Sequence, residues 1–389
     1  MSLNPEQHEF SSADQTFMAR AIELAKRGHY TTSPNPRVGC VLVLNGIVVG
    51  EGYHQKAGSA HAEVNALNQA NEHAGNLAQG ATAYVTLEPC SHFGRTPPCA
   101  QTLIKAQVSK VIIAMVDPNP QVAGKGIKLL EAAGITTQVG LLNCQARALN
   151  VGFIKLMTEQ KPFVRLKMAT SLDGKTAMAS GESKWITGVA ARQDVQRLRA
   201  QSCAVICGAD SVIIDQAKMT VRHDDLGELA DNYPKNELRQ PVRIVIDSQN
   251  RLTPDLALFK QTSPIILIRS RLENLPLWPH FVEQVQITSL TVTNKQQKID
   301  LTALLFFLAK RGFNDVLIES GARLAGAFVE QNLVDELILY QAPKLMGADG
   351  KSMFAMPKIE KLADAKSLII KNVTMVGQDL RIVGAFTQP

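Results

Sequence analysis

The spacing of Phe17, Ala21 and Leu24 predicts a helix from Asp14 through "ELAKRG", stopped by Gly28. The run "VGCVLVLNGIVVGEG" predicts two strands joined by Asn45-Gly46, the strongest short hairpin signal. "AEVNALNQANEHAG" then has helical spacing. After it, "ATAYVTL", "KVIIAMV" and "ITTQVG" read as strands, separated by the helices "AQTLIKA" and "KGIKLLEAAG". Strands alternating with helices in this way predict a largely parallel sheet covered on both faces.

"CQARALNVGFIKLMTEQKPF" reads as a short helix and a polar connector into Pro162, so a domain boundary is expected near residue 150, giving domains 1–150 and 151–389. The second half opens with strand "FVRLKMA" and a loop rich in Ser, Gly and Thr up to Thr187. Helix "VAARQDVQRLRAQS" follows, then strands "CAVICG", "VRIVID" and "IILIRS". Helix "LTALLFFLAKRG", strand "DVLIES", helix "ARLAGAFVEQ" and strand "ELILYQAPKL" complete a second α/β pattern. No repeat or low-complexity segment links the halves, so two different α/β units are expected.

The chain has 389 residues, 45% apolar and 20% charged, which is globular composition long enough for two cores. The net charge of +6 divides unevenly: residues 1–150 hold 11 Lys/Arg against 10 Asp/Glu, and the remainder 30 against 25. That excess suits anionic small molecules such as phosphates, and equally a lysine-rich solvated surface. Without a dense basic run or basic–aromatic interleaving, no nucleic-acid groove is expected. No apolar run reaches the ~18–20 residues needed to span a bilayer. "MSLNPEQHEFSSADQTF" has no apolar leader core, so a cytoplasmic protein is expected. In that compartment six cysteines point to metal binding, catalysis or burial rather than a disulfide scaffold.

His61 and Glu63 in "HAE", with Cys90 and Cys99 in "PCSHFGRTPPC", carry the first candidate chemistry. One imidazole and two thiolates form a soft set that suits zinc and leaves a fourth position open. Glu63 would take a proton from a zinc-activated water and pass it to leaving ammonia. His-Ala-Glu followed by Pro-Cys is the pattern of zinc nucleobase deaminases, in which the Glu is not a ligand. Residues i and i+2 point about 200° apart on a helix, so His61 must sit at the helix entry, before the regular turn. Pro97-Pro98-Cys99 can begin the next helix. Eight residues between the cysteines depart from the usual Pro-Cys-x-x-Cys, and a structural zinc or independent thiols remain alternatives here. Cys40, Cys203 and Cys207 fall in strand patterns and read as buried. Cys144 has no evident partner, and His92 reads as a loop residue.

These segments resemble the bifunctional deaminase–reductases of riboflavin biosynthesis across essentially the whole chain. The resemblance runs through "SPNPRVGCVLV", "HAE", "EPCSHFGRTPPC" and "DPNP", then "SLDGKTAMASGESKWIT", "MTVR", "IDSQNR" and "ESGARLAGAF". It implies a cytidine-deaminase-like three-layer α/β/α domain followed by a dihydrofolate-reductase-like α/β domain. The first would hydrolyse an amino group of a diaminopyrimidinone ribosylamino 5′-phosphate, with zinc on His61, Cys90 and Cys99 and Glu63 as proton carrier. Substrate contacts would be Asn35, His54, Arg95, Asp117 and Asn119. Asn35 is also a plausible turn residue, and Asp117 a plausible strand end. A homo-oligomer is implied as well.

Read from its residues, the second half has no G-x-G-x-x-G; it offers only Gly321 at a strand-to-helix turn, where main-chain amides can meet a phosphate. The resemblance implies NADPH, with cofactor contacts at Ala169, Trp185, Ser211, Asp215, Ser248 and the segment Gly321, Ala322, Arg323, Leu324, Ala325, Gly326 and Ala327. It implies substrate contacts at Lys167, Ser183, Arg199, Met219, Arg222 and Glu319. Reduction of the ribosyl group to ribityl needs a positioned acid, for which Lys167 and Glu319 are the candidates. Arg199 and Arg222 would clamp phosphate, although Arg199 on its helix also fits a solvated surface charge. Two rivals remain: a nucleoside or tRNA deaminase with an appended domain, and a zinc-stabilised binding module. The long cysteine loop argues against the first. Glu63 beside a three-ligand set argues against the second.

Overall fold

The computed structural model describes residues 10–72, 77–91, 97–236, 238–273, 276–288 and 298–387. It divides into two compact units, Met1–Gln160 and Lys161–Pro389.

The first unit runs α1 (Ser12–Lys26), β1 (Gly39–Leu44), β2 (Ile47–Tyr53), α2 (Ala62–Glu72), β3 (Thr82–Val85), α3 (Cys99–Lys105), β4 (Lys110–Ile113), α4 (Lys125–Ala132), β5 (Thr136–Val139), α5 (Asn143–Leu149) and α6 (Val151–Glu159). The strands form one sheet in the order β2-β1-β3-β4-β5. Asn45 and Gly46 both have positive φ, as a tight two-residue hairpin between β1 and β2 requires. The sheet is less parallel than expected: β1 runs antiparallel to both β2 and β3, and only β3, β4 and β5 are parallel. The hairpin explains this, because it turns the chain back before the first crossover helix.

Alternate residues on each strand face opposite helical layers. Cys40, Leu42, Ala83, Val85, Val111 and Ile113 pack with Ala66 of α2 and Leu103 of α3. Val41, Val43, Tyr84 and Ile112 pack with Met18 and Ile22 of α1 and Ala146 of α5. Burial on both faces is why these strands read as continuous apolar runs. Phe153 and Ile154 of α6 join the α1 side of this core, which carries the first unit on to Gln160 rather than to residue 150.

The second unit contains β6 (Phe163–Ser171), β7 (Lys175–Ala177), α7 (Val189–Gln201), β8 (Ala204–Gly208), α8 (Ala209–Asp215), β9 (Val242–Ile246), β10 (Ile265–Arg269), β11 (Val282–Gln286), α9 (Leu301–Lys310), β12 (Asp315–Glu319), α10 (Ala322–Glu330), β13 (Glu336–Ala342), β14 (Lys351–Ser352), β15 (Leu368–Val376) and β16 (Asp379–Phe386). A nine-stranded sheet has the order β11-β10-β9-β8-β12-β6-β13-β16-β15, and β7 pairs with β14 apart from it. The seven strands from β11 to β13 are mutually parallel; β16 and β15 close the edge antiparallel. All six strands expected in this half are present. Helix α8, strand β11 and the β15–β16 hairpin add to them. Among the described residues, no helix is long and apolar enough to cross a membrane.

Gly52 has a steric role that bears on the first site. A Cβ there would lie 2.3 Å from Ala62 O and 2.4 Å from Ala66 N, so α2 rests directly on the β2 backbone. Gly52→Ala should therefore destabilise the first unit by about 2 kcal/mol through overpacking. Urea unfolding checks this; an unchanged midpoint would mean that α2 lifts off without cost.

Candidate active sites

His61 stands where the helix-entry argument requires. Its carbonyl accepts the Asn65 N–H at 3.1 Å, immediately before α2, and Glu63 lies in the first turn. Cys99 is the first residue of α3, with Pro98 at the N-cap. Cys90 is drawn to it by two main-chain bonds: Cys99 N–H donates to Cys90 Sγ at 3.3 Å, and Ala100 N–H to Cys90 O at 3.2 Å. The ligand atoms of His61, Cys90 and Cys99 all lie within 4.8 Å of one another. His61 Nδ1 is 3.1 Å from Cys99 Sγ and 3.6 Å from Cys90 Sγ. Donor atoms around a tetrahedral zinc stand roughly 3.5–3.8 Å apart, so this set fits the ion.

The thiols compete for one proton. Hydrogen bonding from the Cys99 thiol, with help from His61, pulls the Cys90 pKa down; the Cys90 thiolate and burial push Cys99 up. A divalent cation would end that competition by holding both as thiolates. Glu63 is buried, and burial together with the Cys90 thiolate raises its carboxyl pKa while its side chain bonds Cys99. A carboxyl with raised affinity for protons beside the metal position is suited to proton transfer.

Asn35 and His54 converge on the same corner. The His54 ring meets the His61 ring edge-on at 5.6 Å between centroids. His54 Nδ1 lies 3.1 Å from Ala60 O, which assigns it the proton and leaves Nε2 to accept from Asn35 Nδ2, also at 3.1 Å. Burial holds the His54 pKa down, in keeping with a neutral ring. Asp117 and Asn119 lie in the loop that leaves β4, while Cys90 follows β3. Both segments therefore emerge at the carboxyl ends of neighbouring parallel strands, where α/β sheets place ligands. Asp117 Oδ1 accepts Asn119 N–H at 2.8 Å, and Asn119 Oδ1 accepts Gln121 N–H at 3.0 Å. Arg95 and His92 lie outside the described residues.

In the second unit, Lys167 on β6 and Glu319 on β12 are register partners on adjacent strands. Arg199 reaches them from α7, and it is not a surface charge. Its Nε and Nη2 donate to the two Glu319 oxygens at 2.5 and 3.0 Å, and its Nη1 to Thr220 O at 3.0 Å. The paired side chains are only 14% and 12% exposed. Burial would raise the Glu319 carboxyl, but the charge and hydrogen bonds of Arg199 hold it lower; burial lowers Lys167. The two candidate acids thus differ in environment: Arg199 favours the ionised form of Glu319, while burial favours the neutral form of Lys167. Arg222 is the more available cation, half-exposed beside Asp225. Met219 is buried, with its sulfur 3.0 Å from Cys207 Sγ.

The cofactor candidates cluster at the carboxyl edge of the parallel strands. Gly321 is the N-cap of α10, and a Cβ built on it would meet nothing within 4 Å, leaving its amide face open. Gly208 caps α8 in the same way at the end of β8, the strand next to β12. Two helix starts side by side give donors for a pyrophosphate, which fits a dinucleotide. Gly208 was not singled out in the sequence, although "VICGAD" echoes "IESGAR" as strand, glycine and helix. Ser211 and Asp215 lie on α8, Ser248 follows β9, and Ala169 shares a face of β6 with Lys167. Lys184 Nζ donates to Asp215 O at 3.3 Å, which brings the loop carrying Ser183 and Trp185 to the end of α8. Trp185 is 65% exposed, with the Arg192 guanidinium 4.6 Å from its ring centroid. In the α10 segment, Arg323 is exposed, and Ala322, Leu324 and Ala327 are half-buried. Ala325 packs in the core, and Gly326 lets Ala355 approach, a Cβ there lying 2.5 Å from Ala355 O.

Residues 11–115 match the zinc-binding region of cytidine and deoxycytidylate deaminases, and residues 162–381 match the RibD C-terminal domain. The riboflavin biosynthesis protein RibD of Haemophilus influenzae is 52% identical over 96% of this chain and 98% of its own length. The chain belongs to the RibD family. The Escherichia coli member is 49% identical over 96% of this chain and all of its own length. Acinetobacter baumannii RibD superposes with a TM-score of 0.86 at 46% identity, covering 97% of this chain and 99% of that one. A Thermotoga maritima deaminase/reductase gives 0.83 at 32% identity, covering 96% and 99%. The family assigns this chain a place in riboflavin biosynthesis as a bifunctional enzyme: a zinc-binding deaminase domain, then a reductase domain that uses NADPH.

The Arg199–Glu319 pair predicts a pH dependence. The folded-state pKa of Glu319 lies below its ordinary 4.5. The stability it contributes is therefore complete above that pH and is lost as pH falls below it. Glu319→Gln should cost about 3 kcal/mol at about pH 7, and the difference from wild type should shrink toward about pH 3. Thermal melts across that range check it; a difference independent of pH would remove the ionised pair as its cause.

Proposed function

We propose that His61, Cys90 and Cys99 hold the deaminase zinc and that Glu63 carries the proton from water to the leaving ammonia. The observation that supports this best is the convergence of three soft donors with a buried carboxyl, its proton affinity raised by burial, at one helix entry. Bound there, zinc would supply the Lewis acidity that ionises water near neutral pH, with a pKa of about 7. Asn35, His54, Asp117 and Asn119 would read the pyrimidine, and Arg95 would meet its phosphate.

In the second unit NADPH would supply a hydride to the opened sugar. Its phosphates would lie on the first turns of α10 and α8, from Gly321 to Leu324 and near Ser211. Ala169, Trp185, Asp215 and Ser248 would form the remaining contacts. Lys167 would deliver the proton, Glu319 and Arg199 would hold Lys167 in place, and Arg222 with Ser183 would receive the substrate. The two domains would be residues 1–160 and 161–389, with the boundary just after α6. The substrates would be those for which the Thermotoga maritima relative is named, a diaminohydroxyphosphoribosylaminopyrimidine and then 5-amino-6-(5-phosphoribosylamino)uracil. The NADPH requirement and six cysteines that form no disulfide among the described residues favour a cytoplasmic protein.

With the diaminopyrimidinone ribosylamino phosphate, ammonia release should precede NADPH consumption in one reaction mixture. Ammonia without NADPH loss would overturn the second assignment. Glu63→Gln should retain one zinc per chain and lose deamination by about 100-fold or more. Metal loss in that variant would make Glu63 a ligand instead.

We also propose that the chain self-associates through β15. This strand ends the sheet and exposes Ile369 at 60%, Val373 at 53% and Met375 at 62%. An apolar edge strand calls for a cover, and a second copy supplies a matching one. Ile369→Lys with Val373→Lys should yield monomers in light scattering; a monomeric wild type would end the proposal.

A further inference from the structure

Two segments leave the carboxyl ends of β3 and β4, one presenting Cys90 and the other presenting Asp117 and Asn119. A buried carboxylate lies between them. Glu88, 3% exposed, sits two residues before Cys90. Its main-chain N–H donates to Met115 O at 3.0 Å, continuing the contact between the two segments beyond the strands. Its Oε2 accepts from Asp117 N at 3.1 Å and Gly124 N at 3.0 Å, and its Oε1 from Gly126 N at 2.9 Å and Ile127 N at 3.4 Å. The donors come from both ends of the 117–127 loop, including the start of α4, where a negative charge also meets the helix dipole.

The internal bonds of the loop, Asn119 to Asp117 and Gln121 to Asn119, set its shape but not its position. Glu88 sets the position. Close packing adds to it: a Cβ on Gly126 would lie 2.0 Å from Pro89 O and 3.2 Å from Glu88 Oε1, so α4 begins directly against the segment that leads into Cys90. We propose that Glu88 is a positioning residue of the deaminase, fastening the loop that carries Asp117 and Asn119 to the segment that presents Cys90. The metal corner and the pyrimidine-facing loop are then one rigid body. This rests on the reading of Cys90 as a ligand and of Asp117 and Asn119 as substrate contacts.

Glu88→Gln keeps the shape but turns an NH2 group toward two of the four N–H donors. The full chain should keep one zinc and unchanged reductase turnover on the deaminated substrate. Its deaminase KM should rise about tenfold with kcat within about threefold, and hydrogen exchange should accelerate at the Gly124 and Gly126 amides. Gly126→Ala, which leaves the carboxylate intact but forces α4 off Pro89, should reproduce the KM rise and covers the case in which Glu88→Gln fails to fold. A fall in kcat at constant KM, or loss of zinc in step with activity, overturns the proposal. Asp117→Ala and Asn119→Ala separate the two layers of the argument. If they raise KM while Glu88→Gln changes neither KM nor exchange, the positioning role alone is wrong. If they leave KM unchanged, the substrate-contact reading falls and takes the proposal with it.

Discussion

Central strands in both sheets are buried on both faces, and that constraint governs where chemistry can occur. An ionisable group between two helical layers costs too much unless a partner matches it. Arg269 is matched to Asp247, and Arg243 to the main-chain carbonyls of Leu258 and Gln261. The remaining functional groups collect where the parallel strands stop and helices or loops begin. Cys90, Glu88 and Asp117 follow strand ends in the first unit; in the second, Glu319 and Gly208 are the last residues of their strands, and Gly321 and Ser248 follow strand ends.

The two units arrive at reactivity by different electrostatic routes. The first gathers groups that compete for protons and that only a cation can reconcile. The second matches its charges internally: Arg199 neutralises Glu319, and the pair surrounds an amine whose proton burial has loosened. Zinc therefore bears directly on the charge balance of the first unit, while in the second Arg199 itself supplies the counter-charge of Glu319.

Much of the first site was legible because its signals are local. The helix entry at His61 follows from the i, i+2 spacing of "HAE" at the head of a periodic run, and the start of α3 follows from two prolines before Cys99. The hairpin at Asn45-Gly46 is equally local. What was not legible depends on distant pairing. Nothing in "QRLRAQS" says that Arg199 will meet a carboxylate 120 positions later, and only the parallel register of β6, β8 and β12 brings them together. Nor does spacing announce that the sulfur of Met219 will lie beside Cys207. The antiparallel placement of β1 beside β3 was hidden for the same reason, since strand order is a property of the whole sheet. The β15–β16 hairpin was not read from the sequence, although "VGQD" between two β-rich runs offers a signal for it.

The cysteine inventory also has a practical side. Cys40 and Cys207 are buried in strands, Cys203 is buried just before β8, and Cys90 and Cys99 face each other at the zinc corner. Cys144, near the start of α5, is the one exposed thiol of the six. With zinc in place, a maleimide or nitroxide reagent meets a single open sulfur on a helix that belongs to neither site. The natural chain thus comes with its own attachment point for a fluorophore or spin label, and no cysteine need be removed to use it.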